Sequence, residues 1–203
     1  MKHLSAVAAA LIVVAFTAFG CAHMGSEWVT LVDGEKGLEN FNRIGDANWR
    51  AEGGAIVADK GKGGNLVSKG SYKDFEIRAE LWADHHTNSG IYIRASNPQS
   101  VGSTTAYEVN INDQSARQDF ATGSIVNFAS NPVPAPFKAG GKWNVLEIYA
   151  KGQEMTIKLN GQVTVSLRDG SFASGPIALQ YGSGLKGAMS GPVKWRKVQI
   201  RTL

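Results

Sequence analysis

Residues 74–95 read DFEIRAELWADHHTNSGIYIRA, and their period decides the fold class. Phe75, Ile77, Ala79 and Leu81 alternate with Glu76, Arg78, Glu80 and Trp82, the two-residue period of a half-buried strand. A turn-rich stretch from Asp84 to Gly90 follows, and Ile91-Tyr92-Ile93-Arg94 alternates again. The spacing predicts a β-hairpin with one buried apolar face. Its other face mixes ions with large aromatics, namely Glu80, Trp82, Tyr92 and Arg94. Such a face is either a binding floor or an ordinary solvated sheet surface.

The same pattern extends in both directions. Beyond residue 28 no window keeps the i, i+3, i+4, i+7 apolar spacing of a helix. Glycines, twenty-four in the chain and all but Gly20 and Gly25 beyond residue 28, instead separate short alternating runs at Trp28–Leu31, Trp49–Ala51, Ala55–Ala58, Asn65–Ser68, Ala106–Asn112, Trp143–Ala150, Met155–Leu159, Gln162–Leu167, Pro176–Tyr181 and Val193–Arg201. Many short strands with turn signals between them predict an all-β chain, a two-sheet antiparallel β-sandwich of jelly-roll type. Asn160-Gly161, between two alternating runs, is the strongest turn signal. Pro132, Pro134 and Pro136 exclude a central strand, so residues 114–141 read as a long excursion over one rim. Trp143 and Trp195 read as residues that fill the core or close the sandwich rather than bind ligand.

Residues 1–20 read as a targeting signal. Lys2 and His3 precede an apolar run, Leu4 to Phe19, that is short for a membrane span. The run ends at Cys21, the only cysteine, and resembles a bacterial lipoprotein signal in which that cysteine is lipidated, although Ala18 stands where Leu is usual. The expectation is an exported lipoprotein tied to the lipid bilayer, at the periplasmic face or outer membrane, with residues 21–27 as a short linker and 28–203 as one domain. Cys21 is then spent on the anchor, leaving no disulfide and no thiol nucleophile. The formal charge is +4, with lysines and arginines scattered except for Lys194, Arg196 and Lys197, which excludes a nucleic-acid footprint.

Residues 107–113, YEVNIND, supply a second informative strand. Tyr107, Val109 and Ile111 share one face, and Glu108, Asn110 and Asn112 share the other. Carboxylates, amides and aromatics on one face suit a sugar, whose hydroxyls need donors and acceptors and whose C–H faces pack on rings.

At this level of detail the chain resembles the 3-keto-disaccharide hydrolase domain family, over residues 28–203. The phrases that carry the likeness stand in the family's order. They include Trp28 to Gly34, Trp49 to Ile56, Tyr72 to Ile77, Asn88-Ser89-Gly90-Ile91-Tyr92-Ile93-Arg94, Tyr107 to Asp113, Thr122 to Ile125, Leu159-Asn160-Gly161 and Gly175 to Gln180. The chain departs from the pattern at Asn110, in place of glutamine, and at Val126, in place of tyrosine. The resemblance implies a concanavalin-like jelly roll that cleaves glycosides already oxidised to 3-ketones, and hence an upstream sugar 3-dehydrogenase as pathway partner. A 3-ketone acidifies the C2 proton, so a base can abstract it and the C1 substituent can leave. Under that reading Glu80 or Glu108 is the base and Arg94 the partner of the enolate oxygen. Trp82 and Tyr92 would meet ring faces, and Asn88, Asn110 and Gln180 would hold hydroxyls.

No cofactor is expected. A structural calcium is compatible with a jelly roll, but no dense Asp/Asn loop demands one. His85 and His86 are adjacent, point apart on extended backbone, and read as exposed loop residues rather than a metal pair. A non-catalytic carbohydrate-binding module on the same fold remains the alternative, since fold does not decide function. It would need the aromatics and amides but no base. Glu80, Arg94 and Glu108 are expected to converge on one face, with residues 114–141 as a wall.

Overall fold

A computed structural model describes residues 26–131, 136–184 and 189–203. The signal run, Cys21 and Pro132 to Pro134 lie outside the described residues. Thirteen strands form among the described residues. They are β1 (Val29–Asp33), β2 (Phe41–Gly45), β3 (Arg50–Glu52), β4 (Ala55–Ala58), β5 (Gly64–Ser68), β6 (Phe75–Ala83), β7 (Asn88–Ile93), β8 (Tyr107–Asn112), β9 (Trp143–Lys151), β10 (Glu154–Leu159), β11 (Gln162–Arg168), β12 (Ala178–Tyr181) and β13 (Val193–Thr202). The run Phe41–Gly45, unmarked by clean alternation in the sequence, is the one strand the period misses.

The strands build two antiparallel sheets. One has eight strands in the order β11-β10-β9-β6-β13-β4-β3, with β1 also on β13; the other runs β2-β5-β12-β7-β8. The expected sandwich is therefore present, and its core is the apolar set the alternation picks out. Phe75, Ile77, Leu81, Ile91, Ile93, Val109, Ile111, Leu146, Ile148, Ile157, Leu159, Ile177 and Leu179 are all at most 3% exposed. Asn160 and Gly161 both take positive φ, 52° and 80°, as a two-residue turn between right-twisted strands requires. That turn sets β10 against β11.

The hairpin predicted at residues 74–95 does not form. β6 pairs with β9 and β13 in the eight-stranded sheet, whereas β7 pairs with β8 and β12 in the other. Asp84–Thr87 arches from one sheet to the next: the Asp84 amide donates to the Pro192 carbonyl, and the Asp84 carboxylate accepts from the His86 amide at 2.8 Å. Alternation fixes which side of a strand is buried, but not which strand lies beside it. Both strands turn their apolar sides to the shared core from opposite sheets. Their outer faces therefore look away from each other.

Two further expectations change. Trp195 is fully buried, but Trp143 is 38% exposed on the outer face of β9, because the odd residues of that strand face outward. The described part of the 114–141 excursion lies along β8: Gly123 donates to the Asn110 carbonyl, Asn110 to Ser124, and Val126 to Glu108.

Candidate functional site

Strand register places the second constellation on the outer face of the five-stranded sheet. Tyr92 stands beside Glu108, Gly90 beside Asn110, and Asn88 beside Asn112. On the other side of β7, Gln180 lies beside Gly90 and also beside Asn65 of β5. Because Gly90 has no side chain, the row Asn65, Gln180, Gly90, Asn110 has a gap in its middle. A Cβ there would sit 2.7 Å from the Val109 carbonyl oxygen.

Glu108 is the centre of the cluster. It is 7% exposed, and its Oε1 accepts from Gln180 Nε2 at 2.9 Å. The same nitrogen donates to the Tyr92 hydroxyl at 2.7 Å, and that hydroxyl hydrogen-bonds the carboxylate in turn. Burial pushes the Glu108 carboxyl above the ordinary range, while Gln180 and Tyr92 partly oppose the shift. Burial and the neighbouring carboxylate push Tyr92 up strongly, so it remains a neutral donor. Three buried amide oxygens, on Asn65, Gln180 and Asn110, have no protein partner. All three are acceptors, so the face suits a ligand that donates hydroxyl hydrogens.

Cover comes from two sides. The 3-10 turn at Gln118–Phe120 lies over Asn110, whose Nδ2 donates to the Phe120 carbonyl at 2.5 Å. Val67, Ala178 and Tyr92 pack with Val101 at the other end. Gln180 is only half-buried and is the open side of the cluster. A cavity of about 1050 Å³ begins at the rim, where Asn112 meets His86, Arg117, Phe120, Met189 and Pro192. Glu108 is four residues from Asn112 along β8, about 13 Å at ~3.3 Å per residue, and does not line that cavity.

The structure thus unites Tyr92, Glu108, Asn110 and Gln180, and separates them from Glu80, Trp82 and Arg94. Glu80 and Trp82 lie on the outer face of the other sheet, where Arg196 Nε donates to Glu80 at 2.6 Å and the Lys194 ammonium stands 5.0 Å from the Trp82 ring. Arg94 is fully buried. Its Nε donates to the Lys73 carbonyl at 2.8 Å, and Nη1 donates to the carbonyls of Gly152 at 2.7 Å and Phe172 at 3.5 Å. Nη2 reaches Asp74 at 3.4 Å. The alternation of β7 would set Arg94 beside Tyr92, but its φ of 54° breaks the alternation just past the strand end. The guanidinium ties three chain segments together instead. Convergence of Glu80, Arg94 and Glu108 is therefore overturned.

Asn88 turns away too, donating from Nδ2 to the Ser183 carbonyl at 2.8 Å. Asn65 was not singled out by the sequence. Its parity opposite Leu66 was the available signal, but parity did not show that β5 lies next to β12. Val126 is 1% exposed and meets β8 through its backbone. His85 and His86 are exposed, and among the described residues no cluster of three metal-ligating side chains occurs.

The model of the 3-keto-alpha-glucoside-1,2-lyase-like domain matches residues 27–201. No curated protein matches the chain in sequence. Among solved structures, the chain is similar to a provisionally named glycosyl hydrolase from Parabacteroides distasonis ATCC 8503, with TM-score 0.70 and 21% identity over 87% of this chain and 100% of that one. It is also similar to the carbohydrate binding module CBM66 from Bacillus subtilis, with TM-score 0.56 and 15% identity over 88% and 98% of the two chains. Porphyranase B from Zobellia galactanivorans gives TM-score 0.56 and 11% identity over 87% and 94%. At such identities these likenesses carry the fold alone.

Proposed function

Since the chain belongs to the 3-keto-alpha-glucoside-1,2-lyase-like family, we propose that it cleaves 3-keto-glycosides, including 3-keto-disaccharides, with Glu108 as the base. The observation that carries this reading is the buried Glu108 carboxyl, held by Tyr92 and Gln180 at the open side of a row of acceptor amides. A carboxylate whose pKa burial has raised is a stronger base than one in water, and it stands ready for a carbon acid.

The steps follow from the substrate's chemistry. Glu108 takes the C2 proton, and the C2–H electron pair delocalises onto the C3 oxygen as an enolate. The Tyr92 hydroxyl, whose proton rests on the Glu108 carboxylate and is freed as that carboxylate takes the C2 proton, is the donor for that oxygen, the role the sequence assigns to Arg94. Collapse of the enolate forms the C1–C2 double bond and expels the C1 oxygen, which leaves as an alcohol after taking a proton. Water adding at C1 of the enone would complete net hydrolysis. Sugar hydroxyls enter from the half-buried Gln180 side, toward the unpaired oxygens of Gln180, Asn65 and Asn110, which are closed to solvent until a ligand opens the row. Formation of the ketone belongs to a sugar 3-dehydrogenase acting earlier, and Cys21 carries the lipid anchor.

The test is release of p-nitrophenol from its 3-keto-glucoside by the purified protein, followed by absorbance. Wild type should release it, and Glu108→Gln should lose at least about 10² in turnover. Binding of plain glycans with no cleavage of any keto-glycoside would replace this reading with that of a carbohydrate-binding module.

A further inference from the structure

Trp82 and Trp143 stand opposite each other on β6 and β9, on the outer face of the eight-stranded sheet, and Lys194 is the register partner of Trp82 on β13. The Lys194 ammonium lies 5.0 Å from the Trp82 ring, and the Arg196 guanidinium lies 4.3 Å from the Trp143 ring. At the far end of the same face Arg201 lies 4.9 Å from Trp28. Trp28 and Trp143 are 39% and 38% exposed. Tyr149 follows Trp143 by six residues along β9, so aromatics are spread over about 20 Å of one face at ~3.4 Å per residue. Between Trp28 and Tyr149 a groove of about 290 Å³ holds Glu76, Arg78, Glu147 and Lys158.

Two indoles, Trp28 and Trp143, stand exposed at opposite ends of this sheet face, with half-buried Trp82 and Tyr149 beside them. Their chemistry suits a sugar chain, since ring faces pack against pyranose C–H surfaces and the ions between them meet hydroxyls and carboxylates. The charge also has a sign. Cations outnumber carboxylates: Arg78, Lys158, Lys194, Arg196, Lys197 and Arg201 stand with Glu76, Glu80 and Glu147, and Arg168 pairs with Glu154 at the edge. Glu80 and Glu76 pair with Arg196 and Arg201, while Lys194 has no carboxylate partner among the described residues.

We propose that this face docks an acidic polysaccharide, a uronate-bearing chain lying across the four aromatics with its carboxylates on the flanking cations. The site lies across the sandwich from Glu108 and does not depend on the chemistry proposed there. It would hold the protein on a polymer while the five-stranded sheet meets small glycosides.

Affinity electrophoresis of the purified full chain tests this, in gels cast with polygalacturonate, with alginate, or with a neutral β-glucan. The acidic gels should retard wild type and the neutral gel should not. Retardation should weaken as salt is raised, since the screening length falls from ~10 Å at 0.1 M to ~3 Å at 1 M. The double variant Trp28→Ala/Trp143→Ala should bind at least about tenfold more weakly with an unchanged melting temperature. Lys194→Ala, which removes one half-buried charge, should weaken binding in the acidic gels as an independent check. Glu108→Gln should be retarded like wild type. Equal retardation in the neutral gel, or full retention by the tryptophan variant, overturns the proposal. Sedimentation with anionic lipid vesicles and no retardation in any gel also overturns it, and assigns the face to a membrane surface.

Discussion

Glu108 owes its chemistry to burial, and that makes its role testable by pH. With the carboxyl raised, the base form appears only above the ordinary glutamate range of about 4.3. The acid limb of kcat/KM on a 3-keto-glycoside should therefore lie above that value; a limb at or below it would place the base elsewhere. The same shift bears on stability, with the sign opposite to that of a salt-bridged carboxylate. A raised folded pKa favours the folded state at low pH, and that advantage is lost as pH rises through the folded pKa. Glu108→Gln carries no such titration, so urea denaturation should show its stability improving relative to wild type as pH rises above the ordinary glutamate range. Arg94 belongs to the fold instead. Arg94→Ala strips the carbonyls of Lys73 and Gly152 of their donor, empties the space of a fully buried side chain and should cost about 3 kcal/mol in denaturant unfolding. Turnover per folded molecule should be kept.

At the scale of elements, β7 is the strand on which core and site meet. Ile91 faces inward with no exposure, while Gly90 and Tyr92 on either side of it face the Glu108 row. Ile91→Ala should destabilise the protein by about 2–5 kcal/mol, read from denaturant unfolding. Gly90→Ala is the severer change, because its Cβ would stand 2.7 Å from the Val109 carbonyl oxygen, backbone held in the ladder of a strand paired on both sides. It should lower the denaturant midpoint as well as turnover on a keto-glycoside. The arch Asp84–Thr87 decides that β6 does not share this face, and with it that Glu80 and Trp82 serve the other side.

At the scale of the whole molecule, an anchor at Cys21 would hold a two-faced sandwich close to a membrane. A palmitate analogue should label wild type in cells and leave Cys21→Ser unlabelled; equal labelling, or none with free secretion, would remove the anchor. Alternation by itself determined every strand but Phe41–Gly45, the buried side of each and hence the all-β core, because side-chain period and burial are local properties of one strand. The Asn160-Gly161 turn was legible for the same reason, since two neighbouring residues carry its conformation. Glu108, Asn110, Tyr92 and Gln180 were legible as outward polar residues on their strands. Which strands lie together was decided only by the tertiary structure, because pairing depends on which apolar faces meet across long stretches of chain. That is why β6 and β7 part into opposite sheets, why Asn65 joins Gln180, and why a single left-handed residue takes Arg94 out of the row to which its period assigns it.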